Sequence, residues 1–206
     1  MKIAIMGAGN VGRALGTGWR KAHHEVTLGV RDPAGSRATE LKQQGFAIAP
    51  PKDAAARAEV IVLAVPWGAV HATLESLGAL AGKILIDATN PLTSDMSLAL
   101  GHTDSAGETV ARLAPGARVV KAFNTTGANN MADSRHGGGK LMMPVAGDDD
   151  AAKATVMSLA SDLGFEPIDV GPLAMSRHLE PMAMVWIKLA LVQKLGRNFG
   201  FAVLRR

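Results

Sequence analysis

A glycine-rich turn near residue 10 has the residue types and the spacing of a nucleotide-binding turn. Gly7, Gly9 and Gly12 form a G-x-G-x-x-G pattern that directly follows the apolar run Lys2–Met6 and opens a helical pattern at Asn10. In this context the first glycine permits a tight turn, the second lets a pyrophosphate approach the backbone, and the third lets the helix pack on the strand. The N–H groups at the start of the helix would bind the phosphates, so the pattern predicts a dinucleotide site.

The residue that follows the second strand pattern indicates which dinucleotide is bound. Arg31 stands where sites that prefer NAD carry Asp or Glu. A guanidinium matches a 2′-phosphate and stacks on adenine. Asp32 lies one residue further on and is expected to cap the following turn, and Arg37 would add a second positive contact. We therefore predict NADP rather than NAD.

Three further strand ends are expected to line a crevice, because ligands of such sheets bind beyond the carboxyl ends of the strands. The residues concerned supply amides, hydroxyls and flat apolar surface, with few ionisable groups. The predicted cofactor contacts among them are Val65, Pro66, Asn90 and Ala122, and the predicted substrate contacts are Trp67, Pro91, Asn124 and Thr125. Such a site suits hydride transfer between two ring systems, which depends on proximity and orientation and needs no acid or base.

The composition removes several classes of chemistry. The 206 residues include no Cys and no Tyr, which excludes thiolate metal sites, a Cys nucleophile and a Tyr general acid. The net charge of +4, with three Trp and five Phe, suits small anionic coenzymes better than nucleic acid. We see no signal peptide, membrane span or metal-ligand spacing, and expect a cytoplasmic protein.

Two side chains are weak candidates for acid–base work. Lys121 lies at a strand end, although an ammonium turned toward water is its expected arrangement. His71 is expected in the first turn of the helix after Pro66 and Trp67, near the crevice. The acidic run at residues 148–150 is better explained as a helix N-cap than as a cation site.

The alternation of short apolar runs with helical patterns predicts a doubly wound parallel α/β sheet, the Rossmann fold, over residues 1–170. A short helical unit is expected over residues 171–206, with a helical pattern from Met175 to Leu204 broken near Gly196 or Gly200. The apolar stripe Met182, Trp186, Leu189 and Val192 on that unit predicts a lid or a homodimer interface. The predicted strands are Lys2–Met6, His24–Val30, Phe46–Ala49, Glu59–Val65, Lys83–Asp87, Arg118–Phe123, Lys140–Ala146 and Phe165–Val170. The predicted helices before the C-terminal unit are Asn10–Ala22, Ser36–Gln44, Asp53–Ala58, Ala69–Ala81, Gly107–Leu113 and Asp149–Leu163.

Taken together, these motifs resemble the NADP oxidoreductases that depend on the deazaflavin coenzyme F420. The matching pieces are IMGAGNVG, GVRDP, VLAVPW, DATNP, KAFNTTG and VAGDD, and the likeness covers nearly the whole chain. The resemblance implies a Rossmann domain with a small helical part, usually a homodimer. It places the NADP contacts on Ala8, Gly9, Asn10, Val11, Val30, Arg31, Val65 and Pro66. The better-known members carry hydroxyl residues where this chain has Ala8 and Val30, which leaves more of the phosphate binding to Arg31.

The sequence thus predicts transfer of a hydride between NADPH and a deazaflavin (F420) or flavin-type acceptor. Three alternatives stay open at this point: an NADPH-dependent carbonyl or imine reductase, a ferric reductase, and a non-catalytic NADP(H) sensor. A carbonyl or imine reductase would need a proton donor in the crevice.

Overall fold

The computed structural model describes residues 1–137 and 139–206. Its strands are β1 (Lys2–Met6), β2 (Glu25–Gly29), β3 (Ala47–Ala49), β4 (Val60–Leu63), β5 (Ile84–Asp87), β6 (Arg118–Lys121), β7 (Arg135–His136), β8 (Gly139–Lys140), β9 (Met142–Gly147) and β10 (Glu166–Asp169). Its α-helices are α1 (Asn10–Lys21), α2 (Ser36–Gln43), α3 (Pro51–Arg57), α4 (Val70–Leu77), α5 (Ala106–Leu113), α6 (Ala128–Ala132), α7 (Asp150–Asp162) and α8 (Ser176–Ile187). A π-helical turn, Lys188–Val192, continues α8.

The main sheet has eight strands in the order β10-β9-β6-β5-β4-β1-β2-β3. Strands β1 to β6 are parallel, whereas β9 joins β6 antiparallel, and β10 runs parallel to β9. The predicted α/β fold class is confirmed, with this reversed pair at one edge. The direction in which the chain adds strands changes between β1 and β4, and such a switch point creates a crevice at the carboxyl ends of the strands.

Helices cover both faces of the sheet, because the central strands are apolar on both sides. All four residues of β4, for example, are fully buried. One core cluster joins the sheet to α1 and α7 and includes Leu15, Trp19 and Leu159, and a second joins it to α3, α4 and α5. The Trp19 indole Nε1 donates to the carbonyl oxygen of Leu159 at 2.9 Å, which pairs the polar atom of this buried ring.

The C-terminal segment differs from its prediction. Residues 193–206 contain no helix, so the expected helical pattern up to Leu204 is wrong beyond Val192. Lys194 and Gly196 have φ angles of 56° and 82°, which stop the helix, because the left-handed region cannot continue it. The carbonyl groups that follow bond to other parts of the chain: Asn129 Nδ2 donates to Arg197 O at 2.7 Å and Met142 N to Phe201 O at 2.8 Å.

Three short elements were not predicted from the sequence. Helix α6 and the antiparallel pair β7 and β8 lie between β6 and β9, where the polar, Gly-rich sequence carries little periodicity. Strand β6 also ends at Lys121, two residues earlier than predicted. Phe123 has a φ of 63°, and this left-handed residue turns the chain out of the sheet. Within the described residues, no helix combines the length and hydropathy needed to cross a membrane.

Candidate functional site

The three glycines of the turn between β1 and α1 are required for different reasons. A Cβ on Gly7 would lie 2.3 Å from the carbonyl oxygen of Ala64, and one on Gly12 would lie 1.9 Å from that of Gly7. Gly9, by contrast, has a φ of −76°, and a Cβ there would meet nothing within 4 Å. Since neither packing nor backbone conformation requires a glycine at position 9, the open space is what a phosphate group would need for close approach.

The beginning of α1 is suited to anion binding. Gly9 is its N-cap, no side chain of the described residues caps it, and its first turn holds no acidic residue. The first N–H groups therefore point out of the helix with the positive end of its dipole. Ala8, Val11 and Val30 are partly buried against the adjoining core cluster. The residues present thus fit a dinucleotide pyrophosphate.

Two arginines were predicted to contact the cofactor here: Arg31 lies just after β2, and Arg37 lies in α2. Arg31 is exposed. Arg37 Nη2 donates to the carbonyl oxygen of Ala8 at 3.4 Å, and its Nη1 pairs with Glu40 at 2.9 Å. Asp32 Oδ1 accepts from the N–H of Ala34 at 3.2 Å, so its predicted role as a turn cap is confirmed. Arg31 and Arg37 thus bring two guanidinium groups to this corner, and Glu40 pairs with the second of them.

The loop after β4 lies against the glycine turn. A Cβ on Gly7 would be 3.1 Å from Val65 Cγ1, which brings Val65 to the predicted cofactor site. Pro66 is exposed, and Trp67 is half-buried against the core cluster under α4 and α5. His71 lies in the first turn of α4 as predicted, but it points to solvent, with Nδ1 3.3 Å from Glu75 Oε2.

The loops after β5 and β6 are joined by two amide side chains. Asn90 Nδ2 donates to the carbonyl oxygen of Asn124 at 3.0 Å, and Asn124 Nδ2 donates to Asn90 Oδ1 at 3.0 Å. Asn124 Nδ2 also lies 3.1 Å from the carbonyl oxygen of Leu179 in α8. Asn124 Oδ1 is buried and has no hydrogen-bond partner among the described residues. Of the remaining predicted contacts here, Pro91 follows Asn90 directly, and Ala122 and Thr125 are buried.

Lys121 is fully buried, and the expectation that its ammonium faces water is wrong. Its Nζ lies 2.8 Å from Asp87 Oδ2, 2.7 Å from the carbonyl oxygen of Thr89 and 2.8 Å from Glu180 Oε1. Asp87 and Glu180 are 0% and 1% exposed. We call Asp87, Lys121 and Glu180 the Lys121 cluster. The sequence marked Lys121 as a strand-end residue, but no local signal revealed that Glu180, 59 positions away, would meet it.

A separate ion pair, between Glu108 and Arg177, connects α5 to α8. Arg177 Nη2 and Nε bond to the two carboxylate oxygens of Glu108, at 2.6 and 2.9 Å. This bidentate contact, which strengthens each hydrogen bond, lowers the pKa of Glu108 below its usual value. The carboxylate is therefore charged over the neutral range and holds the two helices together.

A cavity of about 640 Å³ opens at the beginning of α1. Only Asn10 and Val11 of its lining were predicted as site residues. The others come from α1, the loop after β6, α6, the end of α8 and its π turn, and the C-terminal segment: Arg13, Thr126, Gly127, Ala128, Asn129, Trp186, Leu191, Arg197 and Asn198. The spacing Asn10–Arg13 could have suggested the first of these, whereas the C-terminal contribution has no sequence motif.

The cavity lining includes the side chain of Trp186, which is 7% exposed, and two arginines. Trp186 stacks on Phe199, with ring centroids 5.3 Å apart and an interplanar angle of 17°, and its Nε1 donates to the Phe199 carbonyl oxygen at 3.0 Å. Arg13 Nη2 donates to Asn10 Oδ1 at 3.0 Å, beside the phosphate-binding turn. Arg13 and Arg197 are the ionisable residues in the lining. Among the described residues, no group of three or more His, Asp or Glu could hold a metal ion.

Known proteins resemble this chain in sequence and in fold. The family model for coenzyme F420-dependent NADP oxidoreductases matches residues 2–91, which hold the glycine turn, Arg31 and the ends of β4 and β5. The F420-dependent NADP reductase of Methanothermobacter thermautotrophicus is 32% identical, over 98% of this chain and 94% of that protein. Metalloreductase STEAP3 of Rattus norvegicus is 34% identical over 89% of this chain, which spans 36% of that protein's length.

A solved structure extends the likeness to the whole fold. The crystal structure of a candidate F420-dependent NADP reductase from Arthrobacter sp. FB24 matches with a TM-score of 0.91 and 39% identity, over 100% of both chains. The parts of the chain that match this structure and the Methanothermobacter relative include both the glycine turn and the C-terminal residues that line the cavity. The chain is an NADP-dependent oxidoreductase and belongs to the family of F420-dependent NADP oxidoreductases.

Proposed function

We propose that this oxidoreductase transfers a hydride between NADPH and a flat anionic acceptor of the deazaflavin (F420) or flavin type, which binds in the cavity beside Trp186. The observation that supports the acceptor class most directly is the lining of that cavity. It adjoins the phosphate-binding start of α1, has an indole wall, and carries two arginines as its ionisable groups. A tricyclic ring can stack on an indole, and an anionic tail can pair with the arginines.

The residues near the glycine turn would hold the nucleotide. The N–H groups at the start of α1 would bind the pyrophosphate, and Arg31, with Arg37, would bind the 2′-phosphate. Val65 and Pro66 would line the ribose or nicotinamide on the other side, and Asn90 and Ala122 belong to the proposed cofactor wall. When bound, NADPH supplies the hydride, and the protein supplies its position and orientation.

The lining also favours transfer between two rings over reduction of a carbonyl or imine. Carbonyl reduction needs a group that donates a proton near neutral pH. Neither arginine of the lining can do so. Lys121 is fully buried and already bonded to three oxygens, and His71 is exposed on α4.

The test is a side-by-side assay of NADPH oxidation with a deazaflavin, flavin mononucleotide, a ferric complex, and a ketone with and without an amine. We expect turnover with the deazaflavin or the flavin, and competition between the two for one site. Turnover confined to the ketone or imine arm would contradict the proposal. Absence of turnover in every arm, with NADPH still bound in calorimetry, would favour a nucleotide sensor.

Ferric reduction is a second candidate, because a metalloreductase is among the relatives. In this chain the described residues provide no metal-ligand group, so the ferric complex would take electrons from a flavin bound in the same cavity. The same assay separates the two functions: ferric reduction that requires added flavin supports this route, and reduction without flavin contradicts it.

We also propose that the protein forms a homodimer through the end of α8, its π-helical turn and the residues that directly follow. Val185, Val192 and Leu195 are 52%, 58% and 61% exposed, and a two-fold interface needs one such apolar surface on each copy. Sedimentation velocity should show a dimer, and Val192→Asp should shift it to the monomer. A monomeric wild type at micromolar concentration would contradict this assembly.

A further inference from the structure

The Lys121 cluster leaves none of its polar atoms unpaired. Asp87 Oδ1 accepts from the N–H and the hydroxyl of Thr89, at 2.9 and 2.7 Å. The Glu180 carboxylate accepts from the N–H groups of Ala106 and Gly107, at 3.0 and 3.2 Å. These two N–H groups open helix α5, whose positive dipole end offsets the second negative charge of the cluster. One ammonium and two carboxylates are thus satisfied without any solvent contact.

Stability alone is a weak reason to bury three charges. Removing charged groups from water is costly, and well-packed apolar side chains of similar volume often stabilise a core equally well or better. The cluster does, however, restrict geometry, since its hydrogen bonds are satisfied in one arrangement. Asp87 lies at the end of β5, Lys121 at the end of β6 and Glu180 on α8, so one arrangement of three side chains places three elements relative to each other.

The same helix carries the wall of the cavity. Trp186 lies six residues after Glu180 on α8, or about 9 Å along the helix axis. Asn124 adds a parallel connection, because its Nδ2 bonds to both Asn90 and Leu179. The indole wall is therefore anchored, through a helix of under two turns, to the strand ends where the nicotinamide would lie.

We propose that Lys121 is a positioning residue: through Asp87 and Glu180 it sets the distance between the indole wall on α8 and the strand ends β5 and β6, and thereby the distance between hydride donor and acceptor. This inference rests on the proposed function for its effect on rate. It assigns Lys121 no proton transfer, because its ammonium is fully buried with three oxygens within 2.8 Å. A displacement of about 1 Å can cost about 100-fold in such a transfer.

The test compares Lys121→Met with Lys153→Met. Lys153 Nζ lies 2.9 Å from Asp169 Oδ2 and 3.1 Å from Asp150 Oδ1, on α7 beside the edge strand β10, so the control also removes a lysine that has two carboxylate partners. In Lys121→Met we expect kcat to fall about 100-fold, with the Kd for NADPH within about twofold of the wild type. In Lys153→Met we expect both constants to stay within about twofold.

A double variant separates position from stability. Lys121→Met leaves the carboxyl groups of Asp87 and Glu180 buried without their cation, so the melting temperature should fall. Lys121→Met with Glu180→Gln replaces one of these two groups by an amide and should recover part of the melting temperature without recovering kcat. If kcat returned together with the melting temperature, or if the single variant lost stability but kept its rate when assayed well below melting, the positioning role would be refuted.

Hydrogen exchange tests the inference without any acceptor. Amide exchange in residues 176–192 should be about tenfold faster in Lys121→Met than in the wild type, and exchange in α1 should be unchanged. Unchanged exchange in α8 would overturn the positioning role even if the wild type were inactive with every acceptor. Wild-type inactivity alone would count against the proposed acceptor class and would leave the exchange result as the deciding measurement.

Discussion

The two sides of the crevice are built in different ways. The core of the proposed nucleotide side is local: a glycine turn, the start of α1 and the end of β2 lie within residues 7–31 of the chain. The proposed acceptor side is made of side chains from separate segments, joined by contacts such as Asn129 to Arg197, which are 68 residues apart. On this assignment the phosphate-binding surface is encoded by one short stretch of sequence, whereas the acceptor surface depends on how distant segments pack.

This difference predicts which substitutions will act on one side alone. Changes in the glycine turn should affect NADPH before they affect the acceptor. Changes at Trp186 should do the reverse.

The largest expected effect comes from Gly12→Ala. Its Cβ would lie 1.9 Å from the Gly7 carbonyl oxygen, so the turn and the helix must separate. We expect a loss of about 3 kcal/mol in the free energy of unfolding, with NADPH binding no longer detectable by calorimetry.

The matched control is Gly9→Ala, where the added Cβ would meet open space. It should keep the melting temperature and weaken NADPH binding about tenfold or more. Equal NADPH affinity in Gly9→Ala and the wild type would contradict the proposed path of the pyrophosphate.

The next effect in size concerns the indole wall. Trp186→Leu should raise the KM for the acceptor about tenfold, because the stacking surface and the Nε1 bond to Phe199 are lost, while the Kd for NADPH stays the same. Steady-state kinetics with the acceptor varied would measure it. Trp67→Leu is the control, since Trp67 does not line this cavity and packs against the core cluster under α4 and α5. A larger KM effect from Trp67→Leu would place the acceptor on the Trp67 side and reverse the assignment of the two walls.

A smaller effect is expected at the adenosine end. Arg31→Ala should weaken NADPH binding about tenfold and leave NADH binding unchanged, because only NADPH carries the 2′-phosphate. Calorimetric titration with each nucleotide gives both constants. Arg57→Ala, an exposed arginine at the end of α3, serves as the control and should alter neither. Equal losses for NADPH and NADH would show that Arg31 does not read the phosphate.

The smallest effect should appear in the pH dependence of stability. The pKa of Glu108 is lowered in the folded protein by Arg177, so this contact stabilises the fold above the ordinary carboxyl pKa of 4.5 and is lost as the pH falls through the lowered value. Melting temperatures between about pH 3 and pH 7 should therefore decline less steeply at the acid end for Arg177→Met than for the wild type. Parallel curves for the two proteins would show that the ion pair contributes no pH dependence.

The contrast also explains what could be predicted from the sequence. Strands such as Lys2–Met6 and the glycine turn are specified by local patterns of apolar residues and glycine, and the eight main strands were all anticipated. The end of the C-terminal helix was not, because the apolar residues beyond Val192 suggest a helix whereas Asn129, Trp186 and Met142 bind the carbonyl groups of that segment. The burial of Lys121 could likewise not be predicted from its neighbours in the sequence. An ammonium is expected in water until a tertiary contact supplies Asp87 and Glu180.

The place of Trp186 has an optical consequence. The chain has three Trp and no Tyr, so its intrinsic emission comes from three indoles. Trp19 is completely buried in the core and Trp67 lies on the other face of the sheet, whereas Trp186 is the indole that lines the cavity. A flavin or deazaflavin that stacks there would quench Trp186 by direct contact. With Trp67 replaced by Phe, the protein would report binding of such an acceptor as a fall in its own fluorescence.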